Sequence, residues 1–269
     1  MELASQHNHT NMTNHGHGSI EEVVASAHER GMTNLAITEH YPLTLKVDPR
    51  DFVSMHKDKL DEYLARIAQQ RSLYPDMELL VGCELDWLGK DEDRTFTQAD
   101  YDQFDIILGS VHFLDLWPFD DPAQSYFWQE AGADYIWRRY FAVWCEAVVS
   151  QVPFTVMAHP DLVKKYGHYP SFDPMPLYKQ AVEACASAGR MIEVNTSGIT
   201  YACKEPFPSQ ALLREFCRAG VPCTIGSDAH HPSDVDRAIQ EGYRWMYEAG
   251  YRWVTLVVPG GDRREIPLA

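Results

Sequence analysis

The chain lacks most of the features that tie a protein to a membrane, an oxidising compartment or a nucleic acid. Its N-terminus is polar, without the apolar core of an export signal, and no stretch approaches the roughly 18 apolar residues of a membrane span. Only six cysteines occur in 269 residues, and no two form a Cys-x-x-Cys pair. Of these (Cys83, Cys145, Cys185, Cys203, Cys217 and Cys223) several lie in apolar periodic stretches, where a free thiol packs as a small hydrophobe. A disulfide framework is not expected in a chain of this size without an export signal. Positive charge is scarce: 23 Lys and Arg stand against 39 Asp and Glu, a net charge of -16. Such a surface repels phosphate backbones, which argues against broad nucleic-acid binding. A small anionic ligand remains compatible if cations gather in one pocket, as metal ions do locally. These absences predict a cytoplasmic chain with neither membrane nor nucleic-acid partner. No Pro-, Gly- or Ser-rich linker and no internal repeat divides it, and the one polar stretch is 6–19. One domain over residues 1–269 is expected, since α/β barrels run to about 250 residues as a unit.

What the chain does have is alternation. Short apolar runs at 35–38, 78–82, 104–109, 154–158, 191–194, 222–225 and 253–258 read as strands, with a weaker candidate just before His7. Helix patterns separate them. Ser19-Ile20-Glu21-Glu22 is a capping box, opening a helix that stops at Gly31. Further helices are expected at 52–72, 134–149, 176–188, 209–219 and 233–249, the last three stopped by Gly189, Gly220 and Gly250. Strand–helix alternation argues for a parallel sheet, and seven or eight such units favour a barrel.

Chemistry-bearing residues recur where these runs stop. His40 follows 35–38, Glu84 follows 78–82, His112 follows 104–109, His159 follows 154–158, and Asp228 and His230 follow 222–225. His7-Asn8-His9 offers two imidazoles from alternate residues of one strand, which point to the same face. His15 and His17 follow in a Gly-flanked loop. Parallel α/β folds place their chemistry at the carboxyl ends of strands. Any one such residue has an ordinary explanation as a polar strand end, but the whole set does not. Nitrogen and oxygen donors without thiolate suit Zn, Mn or Fe. His28 and His56 lack this placement and read as surface residues.

In this order His-x-His, His15-Gly16, Thr38-Glu39-His40, Glu84, His112, His159 and Asp228-Ala229-His230 resemble the PHP (polymerase and histidinol phosphatase) superfamily over nearly the whole chain. The segments 109–114 and 117–120, with Asn195-Thr196-Ser197-Gly198, resemble its histidinol-phosphate phosphatase branch. The resemblance implies a distorted (β/α)7 barrel with a centre of three divalent transition-metal ions at the C-terminal ends of the strands. It implies His7, His9, Glu84 and Asp228 on a first ion, and Glu84 bridging to a second with His112 and His159. A third would take His15, His40 and His230. The implied reaction is hydrolysis of L-histidinol phosphate, a small phosphate ester, by metal-activated water, with Glu84, Asp228 and His230 as the catalytic set. The same ligand set also fits a phosphoesterase for a nucleotide or another small ester, and a barrel that binds metal without catalysis.

The chain departs from the family at two places. No Asp precedes His-x-His, where Ala4-Ser5-Gln6 stands, and no Arg follows 195–198, where Ile199-Thr200-Tyr201 stands. A phosphate-binding cation is therefore sought in Lys164, Lys165 or Lys204. The cationic end of the substrate is assigned to a carboxylate among Asp120, Asp161, Asp115 and Glu39, with Trp117 or Phe119 packing on its ring.

Overall fold

The computed structural model describes residues 2–90 and 97–268. In chain order the strands are β1 (Leu3–Ser5), β2 (Met32–His40), β3 (Glu78–Asp86), β4 (Ile106–Ser110), β5 (Phe113–Leu114), β6 (Trp117–Pro118), β7 (Val156–Met157), β8 (Met191–Asn195), β9 (Cys223–Gly226), β10 (Trp253–Val257) and β11 (Arg263–Pro267). The helices are α1 (Ile20–Glu29), α2 (Leu60–Leu73), α3 (Gln98–Tyr101), α4 (Tyr126–Ala131), α5 (Ala133–Val148), α6 (Met175–Ala188), α7 (Gln210–Arg218) and α8 (Ile239–Ala249).

Seven strands form one sheet in the order β1-β2-β3-β4-β7-β8-β9, and every neighbouring pair is parallel. Spatial order follows chain order, as helical crossovers between adjacent parallel strands require. The two edges meet just past their named ends. Gln6 N donates to Ile225 O at 2.8 Å, Asp228 N to His7 O at 2.9 Å, and His9 N to Ala229 O at 2.8 Å. These bonds close the sheet into a barrel and leave no open edge along that seam.

Two apolar layers hold it. Ala36, Leu80, Ile106, Leu108, Val156 and Met191 fill the barrel interior. A larger layer lies between the strands and the surrounding helices, where α5 buries Ile136, Trp137, Tyr140, Phe141 and Trp144. Alternate residues of each strand serve the two layers, which is why these strands read as continuous apolar runs. Helix α1 starts where the capping box puts it: Ser19 Oγ accepts from Glu22 N at 3.2 Å, and Glu22 Oε2 accepts from Ser19 N at 2.7 Å. All six cysteines are free thiols. No helix of the described residues is long and apolar enough to cross a membrane.

The structure departs from the sequence expectation at four places, one of them the helix expected at 233–249, which begins only at Ile239 after a single 3-10 turn at Pro232–Asp234. The run at 253–258 is a strand but leaves the barrel. As β10 it pairs antiparallel with β11 across a turn in which Gly260 and Gly261 take left-handed φ of 92° and 83°. Val257 then enters the barrel floor, gripped by Gln6, whose Nε2 donates to Val257 O at 2.7 Å and whose Oε1 accepts from Val257 N at 3.1 Å. The seventh barrel strand is instead β1, the short stretch before His7. The helix expected at 52–72 begins only at Leu60. Asp48 Oδ2 accepts from Phe52 N and Val53 N at 2.7 and 2.6 Å and holds a turn there instead. Finally, β5 and β6 form a tight hairpin that apolar periodicity does not reveal. Its turn residues Asp115 and Leu116 sit at φ of 52° and 67°, a left-handed conformation uncommon for a residue like Leu.

Candidate metal centre

The carboxyl ends of the barrel strands converge on one side chain. Glu84, in β3, is 1% exposed, and five imidazoles approach its two oxygens. Oε2 lies 3.2 Å from His7 Nε2, 3.3 Å from His9 Nε2 and 3.1 Å from His40 Nδ1. Oε1 lies 3.0 Å from His159 Nε2 and 3.5 Å from His112 Nε2. Asp228 Oδ1 stands 3.4 Å from His9 Nε2 and 3.7 Å from His7 Nε2. His230 Nε2 and His15 Nε2 face each other at 3.0 Å, and the His230 ring stacks 4.3 Å from that of His9. All nine residues that the sequence marked as ligands thus meet at one end of the barrel. His17 and His231, also at this end, stay outside that convergence, with rings 6.1 Å apart.

The backbone explains the convergence. His40 and Glu84 are register partners across β2 and β3. His159 and Asp228 have left-handed φ of 28° and 52°, which turn their side chains back over the strand ends. Strained backbone of this kind costs of order 1–3 kcal/mol per residue and persists where the surroundings hold it. Around Asp228 the holder is Arg237, whose Nη2 donates to Ser227 O at 2.8 Å and to Asp228 O at 3.2 Å.

The electrostatics call for a cation. Burial opposes ionisation of Glu84, yet His40, His7 and His112 hold its pKa well below the usual range. Burial likewise opposes ionisation of Asp228, and His7, His9 and His230 outweigh it. Burial disfavours a charged His7, but Glu193, Glu84 and Asp228 pull its pKa far upward. The carboxylates thus demand a positive charge at the centre. The outer imidazoles supply none. Burial and the neighbouring His9 push His15 to about 4 and His230 to about 3, so both are neutral, as ligands must be.

The hydrogen bonding tells the same story. His7 Nε2 faces His9 Nε2 at 3.1 Å, as His15 Nε2 faces His230 Nε2 at 3.0 Å, and where neither facing nitrogen carries a proton the two lone pairs point at each other, an arrangement that a cation between them relieves. His40 Nδ1 is buried without an aligned hydrogen bond, although Glu84 Oε2 is near. His9–His40–His230, His7–His9–Glu84 and His40–Glu84–His112 each bring donor atoms within 4.8 Å of one another. Nitrogen and oxygen donors spaced in this way fit divalent cations.

Some supporting residues escaped the sequence reading. Glu193, fully buried in β8, accepts from His7 Nδ1 at 3.0 Å, from His159 N at 2.9 Å and from Asn195 Nδ2 at 3.0 Å. It leaves His7 Nε2 free for a ligand and fixes two segments at once. Asp86 does the same for His112, with Oδ1 2.8 Å from His112 Nδ1. Burial opposes a charge on His112, but Asp86 and Glu84 raise its pKa to about 10. The only available signal was a carboxylate inside an apolar strand; for Asp86 it stands two residues after Glu84, on the same face.

A cavity of about 820 Å³ opens onto the centre, and His40, Glu84, His112, His159, Asp228 and His230 form its floor. Lys165 and Asp120 are in its wall, as are Arg50 and Arg237. The other sequence candidates for substrate contact are placed elsewhere. Lys164 is fully buried and bound to Asp161 at 3.2 Å, Glu205 at 2.8 Å and Pro206 O at 2.9 Å, which also occupies Asp161. Lys204 points to Thr200 O at 3.4 Å. Trp117 packs its ring on Phe127 at 4.6 Å and donates from Nε1 to Gln124 O. Asp115 pairs with Arg139 on the surface. Glu39 is buried and accepts from Thr10 N, Thr10 Oγ1 and Thr13 N at 2.8, 2.6 and 3.0 Å.

A closed parallel barrel with histidine and carboxylate donors at its strand ends defines a class, the barrel metalloproteins that bind ions over the C-terminal face. Within that class the chain belongs to the PHP domain family, whose model matches residues 5–197. A protein of Deinococcus radiodurans named "Probable histidinol-phosphatase" is 30% identical over 259 residues, 94% of this chain and 96% of that one. The "Histidinol-phosphatase" of Bacillus subtilis (strain 168) is 24% identical over 264 residues, 89% of this chain and 98% of that one. The fold is also that of the histidinol phosphate phosphatase of Lactococcus lactis, solved with zinc, L-histidinol and phosphate. It superposes with a TM-score of 0.78 at 20% identity, covering 98% of this chain and 99% of that one.

Proposed function

We propose that this chain is a metal-dependent phosphomonoesterase that hydrolyses L-histidinol phosphate to L-histidinol and phosphate, built as one barrel domain over residues 1–269. The observation that carries the reading is the convergence of seven imidazoles and two carboxylates at one end of the barrel, where a single cavity opens onto them. The similarity to the Deinococcus protein over nearly the whole of both chains supports the substrate. The residues present fit three divalent ions, Zn, Mn or Fe. His7, His9, Glu84 and Asp228 would hold the first, Glu84, His112 and His159 the second, and His15, His40 and His230 the third. Bound there, such ions lower the pKa of a coordinated water and take up charge from the phosphoryl oxygens.

The protein supplies the rest. Glu84 keeps the donor set together, and Glu193 and Asp86 hold His7 and His112 in fixed tautomers. Lys165, in the cavity wall, offers a cation to the phosphoryl group. Asp120 offers a carboxylate to the substrate's ammonium. The leaving alkoxide needs a proton: the attacking water loses one, and we assign its uptake and transfer to the alkoxide to Asp228 or the nearby His230, both unprotonated at rest. The His230 side chain is 32% exposed, more open than His112 at 14% and His40 at 8%, and its Nδ1 lies 3.6 Å from Asp228 Oδ1.

The test is a chelator titration followed by a substrate panel. Chelated protein should be inactive and should recover with a divalent transition metal. L-Histidinol phosphate should then give a higher kcat/KM than a nucleoside monophosphate or a simple alkyl phosphate. Full activity after metal removal defeats the mechanism, and a preference for the nucleotide defeats the substrate assignment.

A further inference from the structure

Two consecutive lysines leave the same turn after His159 in opposite circumstances. Lys164 is locked in the core by three partners. Lys165 instead reaches the cavity wall and makes one ion pair there among the described residues, 2.9 Å from Asp120 Oδ2. Asp120 likewise has no other ion pair among the described residues. Both side chains are mostly covered, 14% and 18% exposed, so little water screens the pair. Burial opposes charge on Asp120, but Lys165 and His112 overcome it, and the carboxylate is ionised.

The backbone that carries the pair is tied independently of it. Tyr166 Oη donates to the Asp120 backbone carbonyl at 2.6 Å and ties the two segments together independently of the ion pair. Lys165 Nζ also rests 4.6 Å from the centre of the Tyr201 ring. The pair can therefore open without its backbone moving. A bare phosphate drawing Lys165 away would strand Asp120, an ionised carboxylate in a covered site next to an incoming dianion, and that is costly. A ligand that brings its own ammonium removes the cost, because one internal ion pair becomes two intermolecular ones.

Resting on the phosphomonoesterase reading, we propose that the Lys165–Asp120 pair is an exchangeable specificity element selecting phosphate esters that carry an ammonium on the carbon next to the ester carbon. Lys165 passes to a phosphoryl oxygen and Asp120 to the ammonium. The pair's own spacing sets the rule. Its charged atoms stand in direct contact, so the two ligand charges that replace them must also lie close together. A longer spacer carries the ammonium past Asp120, and an uncharged chain offers it nothing. L-Histidinol phosphate has the adjacent arrangement, and with both charges engaged its phosphorus is oriented over the cavity floor.

The experiment uses the full, zinc-loaded chain. kcat/KM is compared for 2-aminoethyl phosphate, ethyl phosphate and 6-aminohexyl phosphate. In parallel, calorimetry compares 3-aminopropylphosphonate with propylphosphonate, non-hydrolysable analogues of the first two. The aminoethyl ester should be preferred to the ethyl and aminohexyl esters by roughly 10–100-fold, the range of one charge-assisted hydrogen bond. Asp120→Asn should lower the aminoethyl rate and raise the ethyl rate, because the carboxylate that was stranded is gone. Lys165→Met should lower both. An equal loss on both esters in Asp120→Asn, or no preference in the unmodified protein, overturns the proposal. If Asp120→Asn does not fold, Asp120→Ser and the spacer series on the unmodified protein decide it. Failure to bind or hydrolyse any of these compounds, or L-histidinol phosphate, would instead remove the phosphomonoesterase reading beneath it.

Discussion

Glu84 shows how much of the site rests on single side chains. Its oxygens lie within 3.5 Å of five imidazoles, and Ser110 Oγ donates to Oε1 at 2.5 Å. Truncating it leaves those imidazoles without their shared anchor, and truncating His159 removes one wall of the same centre. Glu84→Ala and His159→Ala should each lower kcat/KM by about two orders of magnitude, in line with the loss of organised metal ligands, while the far-ultraviolet circular dichroism stays native. His28→Ala and His56→Ala should stay near the parent. Their rings are 39% and 48% exposed and form their ion pairs, among the described residues, with surface Asp76 and Asp51. Similar losses in both groups would defeat the sorting of histidines by strand end. That sorting was legible in the sequence because a strand's hydrophobic run marks where its last residues emerge. Glu193 and Asp86 were not legible, since an acid within an apolar strand does not say which face it takes. Lys164 and Lys165 differ by one position, and only the turn that carries them decides which enters the core.

At the scale of elements, the site depends on the seam where β9 meets the start of the chain. Backbone there runs so close that a methyl group has no room. A Cβ on Gly226 would meet His7 Cβ at 2.5 Å and Glu193 Oε2 at 2.8 Å, both fully buried. Gly226→Ala should therefore destabilise the fold by about 1–3 kcal/mol, the usual cost of overpacking, and should weaken metal binding as well by pushing His7 from Glu193. Urea denaturation of metal-stripped protein reads the first effect, and competition with a chromophoric chelator reads the second. A variant with parent stability and parent affinity would show that the seam yields freely. The sequence revealed the central strands well, because each is a compact apolar run. It understated β1, which has three residues, and it put β10 in the barrel, because composition cannot say whether a β-run pairs parallel or turns back. Gly260 and Gly261 carried that information, but two glycines between strands fit a loop equally well.

Across the whole molecule, excess negative charge and the metal centre bear on stability together. The net charge is -16, and two ionised carboxylates, Glu84 and Asp228, sit buried at one end of the barrel, where burial keeps the outer imidazoles His15 and His230 neutral. The centre joins segments far apart in the chain: His7 and His9 near its start, His40 and Glu84 from the first barrel strands, His159 from the middle and Asp228 beyond β9. Cations bound among them favour the closed barrel alone, because the unfolded chain does not hold these donors together. Ligand that binds only the folded state stabilises it by about 2.7 kcal/mol at a hundredfold excess over Kd. In a chain of this size each kcal/mol moves Tm by about 2–4 °C. Zinc added to chelated protein should thus raise Tm by about 5 °C or more, and the rise should keep growing with free zinc after the site is filled. Glu84→Ala should flatten that dependence, whereas His28→Ala should retain it. Differential scanning calorimetry at several fixed free-zinc levels measures all three proteins. A zinc-independent Tm in the parent would mean that the buried donors at the strand ends do not hold a metal.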